Sequence, residues 1–465
     1  MTHKEDTPAP PPVDHAQATS GKWQLNAALF LIGQALTLFG TMITGYAISW
    51  YITLQTQSGV MLMALTVAMM VPMAIASPFG GVWADRYNRK YLINIVDGSI
   101  ALVTLVMALF FSVGIEWMGL LIICMVFRGF GQGIQMPAVT ALLADIVPPE
   151  QLVRINGFNS TIQSLSMFAS PLIAAALLSF FPVQILMFVD VVTAAIGITI
   201  VFLFVHTHKG MRRKPASAPA FSNQGQGALL EPAVVPGMPS AQDSQAAPQS
   251  SFFSEFKAGL SYMRTHRFVL VLIVISIVFS ILATPPAMLT PLQVTRDFGA
   301  DAWRLGAIEV AFAVGMMVGG VVIGIWGGFK NRIYTMAFAT ICFGLGSIGL
   351  GLLGNFWVYL ACMCFVGVIM PLFNAPSMAI LQARIDPDYM GRVFSVSMMA
   401  GSLAMPFGML IFGPLADSIS IDLLLIFTGI GIVLLAVLFI TSPSLREAGR
   451  IPDGEALAQP GENQP

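Results

Sequence analysis

Four charged residues stand where charge is costly. "IICMVFRGFGQGIQMP" (residues 122–137) carries Arg128, "MFVDVVTAAIG" (187–197) carries Asp190, "GAIEVAFAVG" (306–315) carries Glu309 and "NIVDGSIA" (94–101) carries Asp97. An acid among apolar neighbours can take up and release a proton, and an Arg is a fixed cation able to hold such an acid ionised. That is proton traffic rather than bond chemistry. The five histidines, His3, His15, His206, His208 and His266, lie outside the apolar runs and form no cluster with acids. Cys124, Cys342, Cys362 and Cys364 lie inside apolar runs, and the last two are one residue apart, so neither a disulfide framework nor a zinc site is indicated. No G-x-x-x-x-G-K-[ST] loop is present for nucleotide. The residues therefore predict no cofactor, no metal and no enzyme.

The elements that must position these charges follow from composition. Of 465 residues, 56% are hydrophobic and 10% charged; mean hydropathy is +0.80. Soluble domains carry about 25% charged residues, so most of this chain must face something other than water. Twelve apolar stretches recur: 25–53, 60–80, 92–114, 118–143, 160–180, 184–205, 268–294, 303–327, 333–353, 356–380, 393–416 and 422–441. Each approaches the ~20 residues that cross a bilayer core. Unpaired backbone groups cannot face lipid and the runs lack barrel-strand alternation, so all are expected to be helices. The predicted class is an all-α polytopic membrane protein.

Basic residues set the orientation. With both termini cytoplasmic, 19 of the 22 Lys and Arg fall on the inner side; only Arg296 and Arg304 fall outside, and Arg128 lies within a helix. Residues 1–22 and 444–465 read as disordered cytoplasmic tails. Residues 209–251, rich in Pro, Gly, Ala, Ser and Gln, read as a flexible linker. In 252–267, Phe253, Phe256, Leu260 and Met263 recur at helical spacing among basic residues, predicting an amphipathic helix on the inner leaflet. Two six-helix units remain, 23–208 and 268–443.

They repeat one another. "VAMMV" (67–71) matches "VAFAV" (310–314) at an offset of 243, and "GVWADRYNR" (81–89) matches "GIWGGFKNR" (324–332) at the same offset. "PAVTALLADIVP" (137–148) resembles "PSMAILQARIDP" (376–387) near offset 239. Six is an even number, so both units enter the membrane from one side and a pseudo-two-fold axis runs along the membrane normal.

The loop "GGVWADRYNRK" (80–90) concentrates charge between the second and third helices. Together with the two six-helix units and the long linker, it resembles the major facilitator superfamily. Gly81, Asp85, Arg86, Arg89 and Lys90 match its signature residue by residue, with Asn88 where a Gly is usual. Asn is the best-tolerated substitute for a Gly in a left-handed turn, and such a turn is expected there. "RGFGQGIQMPAVTALLADIVPPEQLVRINGFN", "MFVDVVTAAIG", "GAIEVAFAVGMMVGG" and "EFKAGLSYMRTHR" resemble the drug-efflux branch, which includes macrolide exporters and the enterobactin exporter. The resemblance implies that Asp85 meets the N-terminus of helix eleven and that Arg89 reaches Asp145, forming a cytoplasmic latch. Gly80 and Gly81 are expected to let helix two approach a neighbour closely. Gly328 replaces Asp85 in the second unit, which should lack an acidic latch.

Arg128 lies about ten residues into its helix, about 15 Å deep, and at that depth requires an anionic or strongly polar partner. Asp190 and Glu309 lie about six residues below the outer surface and Asp97 a similar distance from the inner one. These four form the expected coupling set, with Asp190 and Glu309 opening toward the outer half of the cavity between the halves. Gln34, Gln132, Gln135, Gln163 and Asn374, polar on otherwise apolar helices, are the expected substrate lining. The expected activity is proton-coupled export of an amphiphilic small molecule by a monomer in a prokaryotic inner membrane. Its partners are that substrate, protons and lipid, with no nucleic acid. The alternative is a dedicated exporter of one metabolite, such as a siderophore, or a lysolipid flippase.

Overall fold

The computed structural model describes residues 23–206, 261–263 and 265–449. The expected linker, most of the amphipathic helix, the whole N-terminal tail and the outer part of the C-terminal tail lie outside the described residues. Among the described residues, twelve helices are long and apolar enough to cross a membrane. They are α1 (Trp23–Thr56), α2 (Gly59–Arg86), α3 (Arg89–Ser112), α4 (Met118–Ile146), α5 (Leu152–Phe180) and α6 (Val183–Phe204), then α7 (Arg267–Asp297), α8 (Ala302–Trp326), α9 (Arg332–Leu352), α10 (Phe356–Arg384), α11 (Pro387–Ser418) and α12 (Ile421–Thr441). In α7 a π-turn at Pro285–Leu289 interrupts the regular ladder. Pro285, Pro286 and Pro291 supply no backbone N–H there, which forces the irregular turn.

Side chains stop and start the helices at the membrane edges. Ser58, Asn88, Asn331, Asn355 and Ser420 each accept a hydrogen bond from a first-turn amide of the helix that follows. The hydropathy boundaries agree within six residues except at α5. That helix begins at Leu152, well before residue 160, because a helix continues past the bilayer where its residues turn polar.

Successive helices reverse direction, so one end of the bundle gathers Arg86, Arg89, Lys90, Arg154, Arg332 and Arg384; it is called the basic end below. In the first half α1 packs on α5 and α6, α2 on α4, and α3 on α4 and α6. In the second, α8 packs on α10, and α9 on α10 and α12, repeating the pattern. Glycines set these distances. A Cβ on Gly129 would stand 2.1 Å from the Met69 carbonyl oxygen, and one on Gly133 2.4 Å from that of Met73. In the second half, Gly315 and Gly319 meet the Cys364 and Val368 carbonyls equally closely. Small residues four apart let the backbones touch. Gly129→Ala should therefore push α2 and α4 apart, costing about 1–3 kcal/mol of stability. A melting temperature in detergent unchanged from wild type would contradict this.

The internal repeat holds at atomic detail. Asn88 caps α3 by accepting from the Lys90 amide at 3.1 Å, and Asn331 caps α9 by accepting from that of Ile333 at 3.0 Å. Arg89 Nε donates to the Ala84 carbonyl, and Arg332 donates to that of Gly327. Asn88 itself corrects an expectation. Its φ is −68°, so it is an extended helix cap rather than a left-handed turn, and Asn suits the site because its side chain accepts the cap bond.

The first residues of the expected C-terminal tail, 444–449, are a second correction, while 450–465 lie outside the described residues. Residues 443–448 form a short helix, α13 (Pro443–Ala448), with Leu445 fully buried. The Asn331 amide donates to the Arg446 carbonyl, the Arg332 amide to that of Gly449, and Arg384 to that of Glu447. Three polar anchors and one apolar plug order a stretch whose composition alone suggests disorder.

Candidate functional site

The deepest charge is paired. Arg128 Nη1 lies 2.5 Å from Asp190 Oδ2, and the two residues are 0% and 1% exposed. Because glycines hold one face of α4 on α2, Arg128 points the other way, toward α1, α3 and α6. There Nη1 also donates to the Thr104 hydroxyl at 2.7 Å, and Nη2 to the Thr41 carbonyl at 2.8 Å. The Thr41 and Thr104 hydroxyls in turn donate to Asp190 at 3.1 and 3.4 Å. Four helices thus converge on one satisfied ion pair. The expected acid partner for Arg128 is present, but Asp190 does not open between the halves: the core of the first half encloses it. Thr41 and Thr104 were not legible in the sequence, since a Thr in an apolar helix ordinarily bonds its own backbone.

Toward the basic end of the same half lies a second buried group. Gln135 Nε2 donates to Asp97 Oδ1 at 2.5 Å, and Gln34 Nε2 approaches Asp97 Oδ2 at 3.5 Å. Gln135 also reaches Gln34 Oε1 at 3.4 Å. Two residues expected to line a substrate path are instead hydrogen-bonded to Asp97, on α1, α4 and α3. Among the described residues no cation touches that acid. The remaining lining residues stand apart: Gln132 and Gln163 are half-buried and Asn374 exposed, each without a hydrogen-bond partner among the described residues.

Glu309 differs from the other three charges. It sits on α8, half-buried, with no hydrogen bond or ion pair among the described residues. Across the boundary between the halves, Tyr46 of α1 lies within its electrostatic reach. Tyr46 in turn lies 5.5 Å from the Trp50 ring. This places an unpaired acid beside aromatic surface where the two halves meet.

At the basic end, Arg89 Nη1 reaches Asp145 Oδ1 at 2.6 Å, as expected, and Nη2 reaches Asp85 at 3.4 Å. Lys90 Nζ donates to the carbonyls of Phe202 and Val205, closing the C-terminus of α6. Arg86 is exposed. Gly80 performs the expected close packing, since its Cβ would lie 2.7 Å from Ile134 Cα, whereas a Cβ on Gly81 would meet nothing within 4 Å. Asp85 does not cap α11 here: its side chain is 73% exposed and Arg89 is its partner.

A family model described as Major Facilitator Superfamily matches residues 30–409 and 285–460. This chain belongs to that superfamily of membrane transporters. It is 26% identical over 420 residues to Macrolide efflux protein A of Streptococcus pyogenes, covering 89% of this chain and 95% of that protein. It is 25% identical over 354 residues to Macrolide efflux protein A of Enterococcus faecalis, covering 75% and 99%. Its fold matches a bacterial homologue of the human lysosomal transporter Spinster, solved inward-facing and unoccupied, with a TM-score of 0.64 over 94% of this chain and 100% of that one at 13% identity.

Proposed function

We propose that this transporter is a proton-coupled antiporter that exports amphiphilic, macrolide-like compounds across a bacterial plasma membrane, with both termini cytoplasmic. The similarity to Macrolide efflux protein A along 89% of the chain carries the reading of its substrate class. Support for coupling comes from the contrast between its acids. Asp190 is neutralised by Arg128 and sealed, whereas Glu309 has no counter-charge among the described residues and sits within reach of Tyr46 at the meeting of the halves. A proton arriving from outside neutralises Glu309, and its departure inside restores the charge as the halves rock. Asp85, exposed here, caps the N-terminus of α11 when the basic end closes, where the helix dipole favours an anion.

Inverted membrane vesicles from cells expressing the chain test this reading. They should accumulate macrolides and cationic dyes when their interior is made acidic, and control vesicles should not. Uptake restricted to one compound would redefine the chain as a dedicated exporter. No uptake of any amphiphile would refute the proposal. Asp85→Asn should lower the transport rate about tenfold at unchanged membrane abundance, through loss of a charge-assisted cap. Wild-type rates in that variant would remove the basic-end latch.

A further inference from the structure

The end opposite the basic loops carries a contact that the signature loop does not predict. Asp417, in the last turn of α11, accepts from the first two amides of α2: Gly59 N at 2.6 Å and Val60 N at 3.0 Å. The Ser58 hydroxyl donates to it at 2.8 Å and Arg296 Nη2 at 2.9 Å. Arg296, at the end of α7, also donates to the Ala416 and Gln57 carbonyls at 2.6 and 2.5 Å. Residues separated by more than 350 positions in the chain are thereby tied across the two halves.

Local geometry makes this possible. A Cβ on Gly59 would stand 2.3 Å from the Gly413 carbonyl oxygen, so α2 and α11 touch backbone to backbone. Gly413 and Asp417 are four residues apart and share one face of α11, which brings the carboxylate over the open amides of α2. A helix N-terminus with an anion on its free N–H groups is favoured by both hydrogen bonding and the helix dipole. The side chains of Arg296 and Asp417 remain 29% and 28% exposed, so water can replace the contacts when they part.

We propose that Asp417 and Arg296 form a latch that holds the opposite end shut while the basic end is open. The inference rests on the rocking transport cycle proposed above. The helix pair α2 and α11 is antiparallel, and each helix carries an acid in its last turn. Asp417 of α11 grips α2 at one end; Asp85 of α2 is placed to grip α11 at the other. In this structure the first contact is made and the second is not, as expected of two latches that alternate.

Pulsed EPR on the full chain tests this, with the four cysteines replaced by Ser and spin labels at Ile115 and Gly354. Both positions are exposed, in loops at the opposite end of the two halves. The wild type should show mainly the short distance. Asp417→Asn should raise the long-distance population about tenfold, and Arg296→Gln by a similar factor, because charge-assisted bonds are lost. Asp417→Glu, which keeps the charge, should stay closer to wild type. Asp85→Asn should move the distribution the other way. A cap with only a structural role would lower stability without moving the distances. The latch is overturned if Asp417→Asn and Arg296→Gln both keep the wild-type distribution while Asp85→Asn shifts it, an outcome that leaves the rocking cycle standing. If no variant and no macrolide changes the distances in a chain that transports, the rocking cycle itself fails.

Discussion

Asp190→Asn is expected to lower the yield and melting temperature of the transporter before any transport is measured. The substitution leaves the Arg128 guanidinium fully buried with no counter-charge. Breaking one side of a buried pair costs about 3–5 kcal/mol, a large part of the ~5–15 kcal/mol that holds a domain folded. Arg128→Gln should be damaging for the converse reason, an enclosed Asp190 keeping only Thr41 and Thr104. The double variant Arg128→Gln with Asp190→Asn should recover at least half of the lost stability, since two neutral amides can bond one another across the same space. Thermal unfolding in detergent reads all three. A single variant as stable as the wild type would show that the pair is not the keystone its burial suggests.

Glu309→Gln should have the opposite profile: normal abundance and melting, but no uphill transport. The side chain is half-buried and unpaired among the described residues, so an amide of equal size disturbs no partner there. One pH unit is worth about 1.36 kcal/mol, enough for about tenfold accumulation in one-for-one exchange. The variant should lose that accumulation while still binding macrolide with near wild-type affinity. Binding and accumulation both unchanged would assign coupling elsewhere. Asp97 would be next, because among the described residues no cation touches it either.

Much of this was legible in the sequence. Lipid demands closed hydrogen bonding and about 20 apolar residues per crossing, so hydropathy alone located every spanning helix. It stopped furthest short where α5 runs on as Arg154, Asn156 and Asn159 replace apolar residues, and six residues short at the end of α2 and the start of α11. The repeat was legible because Asn88 and Asn331 perform the same capping task in each half. Partner choice was not. Arg128 plainly needed an acid, but that Asp190 would be enclosed rather than open depends on the face of α6 turned to α1 and α3. Gln34 and Gln135 looked like pocket lining because an amide in an apolar helix has the same composition whether it meets substrate or Asp97. Arg296 did leave a signal, as one of the few basic residues that the charge asymmetry puts on the wrong side. Asp417 left none, because its partners at residues 58–60 lie far away in the chain.

The central claim is that movement of substrate and proton are one event. Proteoliposomes of the purified chain, loaded with a pH-sensitive dye and a radiolabelled macrolide, measure both flows at once. Coupled exchange predicts that macrolide efflux down its own gradient acidifies the lumen, that an imposed pH gradient drives macrolide uphill, and that Glu309→Gln abolishes both effects. Macrolide accumulation that proceeds without a pH gradient, and without any change in luminal pH, would contradict it.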